Sequence, residues 1–578
     1  MSIWSLEDAI VARAMVIAVG TVGAIAPAAA QMPALSFRPD AGISSDPPPL
    51  AMPAPEPSQP AAPDEETASR PMRIDAVSVV GSTVYPASDL ARDTEGLTGP
   101  AVPAGRIDAA RQTILRRYRN DGYFLTTVSA TVDAAAGLHF VITEGHITNV
   151  RLDGDIGPAQ AQVRRFLMRL TERQPIDRAT LDRYLLLAQD VPGISLRASL
   201  EPSGEEPGAL TLVARVTRQA VSGLLTFDNR AYKQTGPLEG LAALDLNSFT
   251  AFGERTRLSL YHTFPNSENF GQASTEFYLG DSGLQIRLYG GAGPVNPSGG
   301  IQQQFGTESF TSVFGGQFTY PLIRARQQTL NASLMFDGID STINSHPMPG
   351  ATEVMQSYDA VRALRFASEY AWTDHWAGVD RASVNLLAVR LSQGVPILGA
   401  SNNPYSPTAA RPGEQSGFTK MSFEANRTQT LAQLSATTSL AMAGLFAGQW
   451  SGSILPPVEQ FYLGGARLAR GYYLGQVTGD KALAATFELQ INTGFEHALL
   501  GRQIAFGVQL YGFYDWGETW QNVSADPSTR LASVGGGARV KVTRYTEFDL
   551  EGLARLNRHP SGQTVNASGV YWRLLTSF

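Results

Sequence analysis

Between about Arg218 and Phe578, apolar and polar residues alternate along the chain, and glycine- or asparagine-rich breaks interrupt the alternation. A two-residue period is that of β-strands, whose side chains point in turn to the two faces of a sheet. Runs of this kind occupy 255–263, 284–291, 486–492, 507–516, 538–543 and 546–556. In the last of these, Phe548, Leu550 and Leu556 alternate with Glu547, Asp549, Glu551 and Arg555. A soluble sandwich would bury its apolar face and use shorter strands, whereas apolar residues toward lipid and charges toward a polar lumen suit a membrane barrel. The terminal run, 568–578, sets Val570, Trp572, Leu574, Thr576 and Phe578 on one face. Such a strand fits a barrel that closes on itself and leaves no edge in lipid. About 360 residues, at roughly 20–24 per strand and loop, predict 15–18 antiparallel strands, hence 16.

The chain ahead of this region has another texture. Segment 72–85 reads as a strand, and Ile107, Ala110, Ile114, Leu115 and Tyr118 recur at helical spacing up to a stop at Asp121-Gly122. Two alternating runs, 126–133 and 138–143, complete a β-α-β-β order near Gly145. The order then begins again. Segment 147–154 reads as a strand, Val163, Phe166, Leu167 and Leu170 mark one helix, and Leu181, Tyr184, Leu185 and Ala188 mark another. Strands at 194–202 and 209–217 close the second unit. Two α+β units of one topology form an internal repeat, each with an open sheet edge. The expected domains are 72–146 and 147–217 for these units and 218–578 for the barrel.

At the N-terminus, residues 14–26 form a short apolar core and Ala28-Ala29-Ala30 precede Gln31, the pattern of a signal peptide over 1–30. Glu7 and Asp8 against the single Arg13 make an atypical leader, and Met15 is an alternative start. Segment 31–71 is dense in proline, so it reads as an extended periplasmic linker. A net charge of -7 gives no basic footprint for nucleic acid. The absence of cysteine removes disulfides, thiolate catalysis and zinc-thiolate sites together. The histidines show no HExxH or HxH spacing, and neither GxxxxGK[ST] nor GxSxG occurs, so no metal, cofactor or catalytic residue is expected and the chain does not read as an enzyme. Trp372 and Trp376 fit an interfacial belt.

Two segments carry the candidate chemistry. FYLGGARLARGYYLG at 461–475 is a glycine-rich stretch holding Arg470. GFYDWGETW at 512–520 continues an alternating strand that places Phe513 and Asp515 on one face and Leu510, Gly512, Tyr514 and Trp516 on the other. Apolar residues on the second face put Asp515 inward. Each charge alone reads as an ordinary lumenal residue; together they suggest an ion pair that holds the loop inside the barrel. Glu488 either lines the pore or helps pack the loop, and the sequence leaves both open.

These motifs, with RRYRNDGY at 116–123, ITEGHITNVRLDG at 142–154 and LTFDN at 225–229, resemble the haemolysin secretion and activation family. Members are two-partner secretion transporters of the outer membrane, within a superfamily of barrels preceded by periplasmic POTRA domains. The resemblance implies a 16-stranded transmembrane barrel behind two POTRA-like domains, in a Gram-negative outer membrane. It implies that Arg470, with Gly471, Tyr472, Gly464 and Gly465, lies on a loop folded into the lumen, that Asp515 is its partner, and that Phe513 and Gly517 frame the site. Ala469 stands where the family usually has valine. The family often carries an N-terminal plug helix, for which 32–71 offers no amphipathic stretch. The implied partner is a large secreted exoprotein of β-helical adhesin or cytolysin type, unfolded in transit, exported by a monomer without ATP. A barrel insertase of the same superfamily is the alternative; an outer-membrane enzyme lacks its nucleophile motif, and a passive porin has no use for two soluble repeats. The ion-pair reading predicts that Asp515→Arg abolishes export and that an Arg470/Asp515 charge swap recovers it.

Overall fold

The computed structural model describes residues 71–578 apart from 205, 233–234, 266, 299, 348–349, 500–501, 524–527, 544 and 561–564. The alternating runs of the second part become the walls of a closed barrel: among the described residues, 16 antiparallel strands from Val221–Asp228 to Ser568–Ser577 pair each with the next. The last strand returns to the first, pairing Arg573 with Asp228 through Ser577 with Leu224, and Phe578 and Gly223 exchange both backbone hydrogen bonds at 3.0 Å. Closure satisfies each ladder inside the wall, the condition for spanning a hydrocarbon layer. The two faces differ as the alternation requires. In the strand Lys481–Leu499, Glu488 is 6% exposed while its neighbours Phe487 and Leu489 are 55% and 51% exposed. The outward row forms the lipid-facing belt. No helix among the described residues is long and apolar enough to cross a membrane.

The first α+β unit packs helix Ala104–Asn120 on a sheet ordered Ala76–Val80, Gly137–Thr143, Thr127–Val132. Ile107, Ala110, Ile114, Leu115 and Tyr118 are its buried face, and Gly122 leaves the helix at φ +92°, a value that glycine adopts without penalty. Segment 72–85 is not one strand. The Asp75 N–H turns to the carbonyl of Ala136 at 2.9 Å, so Pro71–Ile74 pairs instead with Gly99–Pro103 in a small separate sheet, and Gly81 at φ +88° ends the second piece. Pro71, the last residue assigned to the linker, is thus already paired with Pro103. The second unit lays helices Gln160–Met168 and Arg178–Gln189 on a sheet ordered His146–Asp153, Ala209–Arg218, Ile194–Pro202. The Asp177 carboxylate caps the second helix by accepting from Thr180 N at 2.8 Å.

This second unit sits against turns at one end of the barrel. Arg324 donates to both oxygens of Asp190 at 2.7 Å, Arg326 to Asp182 at 2.7 Å, and Arg183 to the carbonyls of Pro321 and Ser282 at 2.9 and 3.0 Å. The ring of Tyr278 meets Phe166 edge-on at 5.1 Å. Those turns mark the periplasmic end, and the loop between Thr438–Ser451 and Lys481–Leu499 leaves the opposite end. The expected signal peptide, nearly all of the linker and any N-terminal plug fall outside the described residues.

Candidate functional site in the barrel lumen

The loop after Ser451 folds back along the inner wall. A short hairpin, Phe461–Leu463 paired with Val477–Gly479, carries a tip whose backbone is set by glycines: Gly464 at φ +114°, where a Cβ would come within 2.0 Å of the Tyr473 carbonyl, and Gly465 at φ +100°. Ala469 sits at φ +52°, a left-handed conformation that penalises β-branched residues, so alanine in place of valine suits this turn. Gly471 passes so near the wall that a Cβ would lie 2.6 Å from that of Ser533.

The structure brings Arg470, Asp515 and Glu488 together. The Asp515 Oδ2 atom accepts the backbone N–H of Arg470 at 2.7 Å and its Nε at 3.2 Å, while Oδ1 accepts Nη2 at 3.2 Å. Arg470 Nη1 donates to Glu488 at 2.6 Å and stands 3.6 Å from Glu551. Its guanidinium lies over the Phe513 ring, 3.6 Å from the centroid. Asp515 is fully buried and Arg470 almost so, which makes every one of these contacts electrostatically costly to break singly. Gly517 lies next to Leu463 of the hairpin, where a Cβ would meet a leucine methyl at 2.7 Å. The Gly471 N–H donates to Ser533 Oγ at 3.1 Å, and Arg555 donates to the Gly471 carbonyl. The Tyr472 hydroxyl lies 2.8 Å from the Ala532 carbonyl and 2.7 Å from that of Asn557.

Several participants escape the sequence reading. Arg539 pairs with Glu488 at 2.7 Å, Arg230 with Glu551 at 2.7 Å and with the Arg470 carbonyl at 3.3 Å, and Arg467 of the loop pairs with Glu424. Glu551 reads from sequence as one of a row of lumenal charges. Register is the missing signal: Ser533 lies directly opposite Asp515, and Glu488 opposite Phe513, on the strands to either side. At the mouth, the fully buried Asp480 receives Arg411 at 2.8 and 3.3 Å, Leu455 N at 2.9 Å and Asn522 N at 2.8 Å, tying three loops together. No group of side chains able to hold a metal occurs among the described residues.

Residues 373–540, which include the loop and the Asp515 strand, match the family model of haemolysin secretion/activation protein ShlB/FhaC/HecB, and residues 72–145 match the POTRA model, surface antigen variable number repeat. The chain is similar to the heme/hemopexin transporter protein HuxB of Haemophilus influenzae, 22% identical over 78% of this chain and 77% of that protein. It is also similar to the hemolysin transporter protein ShlB of Serratia marcescens, 25% identical over 76% and 75%. Among solved structures, CdiB from Escherichia coli has the same fold, with a TM-score of 0.68 at 15% identity over 91% of this chain and 94% of that one. CdiB from Acinetobacter baumannii gives 0.62 at 13% identity over 92% and 95%. With POTRA units at the periplasmic end, a 16-stranded barrel in the outer membrane and these matches in sequence, the chain is similar to the haemolysin secretion/activation transporters of the ShlB/FhaC/HecB family.

Proposed function

We propose that this transporter captures an unfolded exoprotein through the strand edges of its two periplasmic units and passes it through a lumen that the Arg470 loop occupies at rest. Export of a secreted partner across the outer membrane is the work of the transporters it resembles; the route and the gate are the proposal. The observation that carries it is how the loop is held. Its tip is fixed to the inner wall by ion pairs and hydrogen bonds around Arg470, with only a small apolar cluster of Leu463, Ala469, Tyr472, Val477, Ala484 and Leu531 beneath it. A polar clasp is firm while dry and exchangeable for water once opened. Arg470 and Asp515 form its centre, Glu488 and Phe513 hold the guanidinium, and Gly464, Gly465, Gly471, Tyr472 and Gly517 let the tip approach the wall.

Capture uses the open sides of the edge strands, Ala76–Val80 and Thr127–Val132 in one sheet and His146–Asp153 and Ile194–Pro202 in the other. Main-chain pairing there needs no side-chain code, which suits a long unfolded cargo. The names of the relatives, hemolysin transporter and heme/hemopexin transporter, support a secreted cargo of cytolysin or β-helical adhesin type. A closed barrel leaves no ladder edge to share, consistent with a monomer. The test is export of a partner exoprotein by the full chain: Asp515→Arg is expected to stop it while the barrel still assembles, and normal export by that variant would end the reading. Because Glu488 and Glu551 also face Arg470, an Arg470/Asp515 charge swap places the new aspartate among carboxylates, and only partial recovery is expected.

A further inference from the structure

The loop has a second fastening, on an adjoining stretch of the wall, that neither the motif nor its aspartate involves. Before the hairpin, the turn Pro457–Glu459 brings the fully buried Glu459 against the strands Val354–Asp374 and Thr419–Gln433. Arg365 donates to both Glu459 oxygens at 3.1 and 2.7 Å and, with its remaining N–H groups, to both oxygens of Asp337 at 2.7 and 3.0 Å and to Ser392 Oγ at 3.1 Å. Lys420 Nζ lies 2.6 Å from the Glu459 carboxylate and 2.8 Å from its carbonyl, which also accepts from Gln449 at 3.1 Å. Asp337, Arg365, Glu459 and Lys420 alternate in charge and sum to zero. The four wall residues Asp337, Arg365, Lys420 and Gln449, with Ser392 between, come from five consecutive strands. Around Arg470 the tip touches the strands that carry Glu488, Asp515, Ser533 and Glu551, and Arg467 reaches Glu424 on the strand of Lys420. The two fastenings therefore occupy adjoining stretches of the wall, since the strand carrying Gln449 pairs with the strand carrying Glu488.

We infer that Glu459 is a positioning residue of the gate: it anchors the entry arm of the loop to the stretch of wall beside the Arg470 clasp, so that releasing either fastening alone leaves the loop in the pore. Both fastenings must let go before the lumen opens. Bidentate, charge-balanced geometry of this kind holds only while all its partners are present. This rests on the gated-export reading, but pore width tests it without any cargo. A failure of export by the unaltered chain would count against that reading, and a wrong pattern of conductance against this inference.

The experiment records single channels of the full chain in planar bilayers for Glu459→Ala, Arg470→Ala and the double variant, with heat-dependent gel mobility confirming that each barrel has assembled. Each single variant is expected to keep the small unitary conductance of the parent with more frequent flickering. The double variant is expected to open in steps roughly threefold larger or more, as a 16-stranded barrel does when its lumen empties to a porin-like channel. If Glu459→Ala leaves Arg365 and Lys420 too crowded with charge to assemble, Glu459→Gln with Lys420→Met keeps the pocket neutral and takes its place. The inference is overturned if Arg470→Ala alone opens the wide pore, or if the double variant is no wider than the singles.

Discussion

The periplasmic units and the tip of the lumenal loop are held in place by different means. Each α+β unit has an apolar centre: Tyr118, Ile114, Leu138 and Phe140 in the first, Phe166, Leu167, Leu170 and Leu212 in the second, all essentially without exposure. Such cores are stabilised in proportion to the area removed from water and come apart only when the unit unfolds. The loop tip rests on charge, with Arg470, Arg467, Glu459 and Asp480 each paired on the wall or at the mouth, while Leu455, Val458 and Tyr462 of its entry arm join an apolar cluster with Val361 and Phe418. Ion pairs gain little net energy over hydrated charges, so a loop held by them can detach without loss of the barrel. On the proposed gating, what must stay folded is glued by hydrocarbon, and the tip that must move is held mainly by charge.

The largest effect should come from breaking a core. Phe166→Ala removes the packing of the second unit and its edge contact with Tyr278 of the barrel, at a cost of about 3–5 kcal/mol. Hydrogen exchange is expected to show this unit opening as a whole and export lost with it. Next, Asp515→Asn leaves Arg470 with a neutral partner at almost the same shape. The loss approaches about 3–5 kcal/mol in a dry site and falls with lumenal water. Here exchange is expected to rise in 461–479 alone, with barrel and periplasmic units unchanged; protection lost across the barrel would erase the contrast drawn above.

Smaller is the joint between unit and barrel, where Arg324→Ala strips the paired bonds from Asp190 for about 1.5–3 kcal/mol. Faster exchange is expected in the turns 279–284 and 321–327, with both cores intact. The smallest effect concerns Glu144 in the first unit. Burial would raise its pKa, but hydrogen bonds from Thr83, Tyr118 and the Thr83 and Val84 N–H groups outweigh it and hold the carboxyl below its ordinary value. A lowered folded-state pKa contributes stability at pH above the unfolded value and loses it as pH falls through the folded one. Acidification is thus expected to loosen 82–85 against the helix Ala104–Asn120, and Glu144→Gln to abolish that pH dependence, read as exchange against pH.

Much of this architecture was legible in the chain. Strict alternation marked 546–556 and 568–578 as wall strands, because lipid and lumen impose opposite chemistry on adjacent residues. Helical spacing marked Ile107 through Tyr118 for the same reason in a soluble unit. What escaped depended on the partner strand or on a local bend. Segment 72–85 reads as one strand because nothing in its pattern announces that Asp75 turns to Ala136. The pairing of Glu488 and Glu551 with Arg470 needs the register of four strands, and the Glu459 anchor needs five. A lone glutamate after Pro456-Pro457-Val458 carries no period and no motif.

The account turns on whether the loop tip rests inside the barrel and has to leave it. The chain has no cysteine, so Arg467→Cys with Glu424→Cys introduces the only two thiols, at positions whose side chains now form an ion pair. A short, reducible bifunctional thiol reagent is expected to join them in the resting protein in membranes, to stop export of the partner, and to release it again on reduction. Absence of the cross-link, or export that continues once it has formed, would contradict the claim that this loop gates the pore.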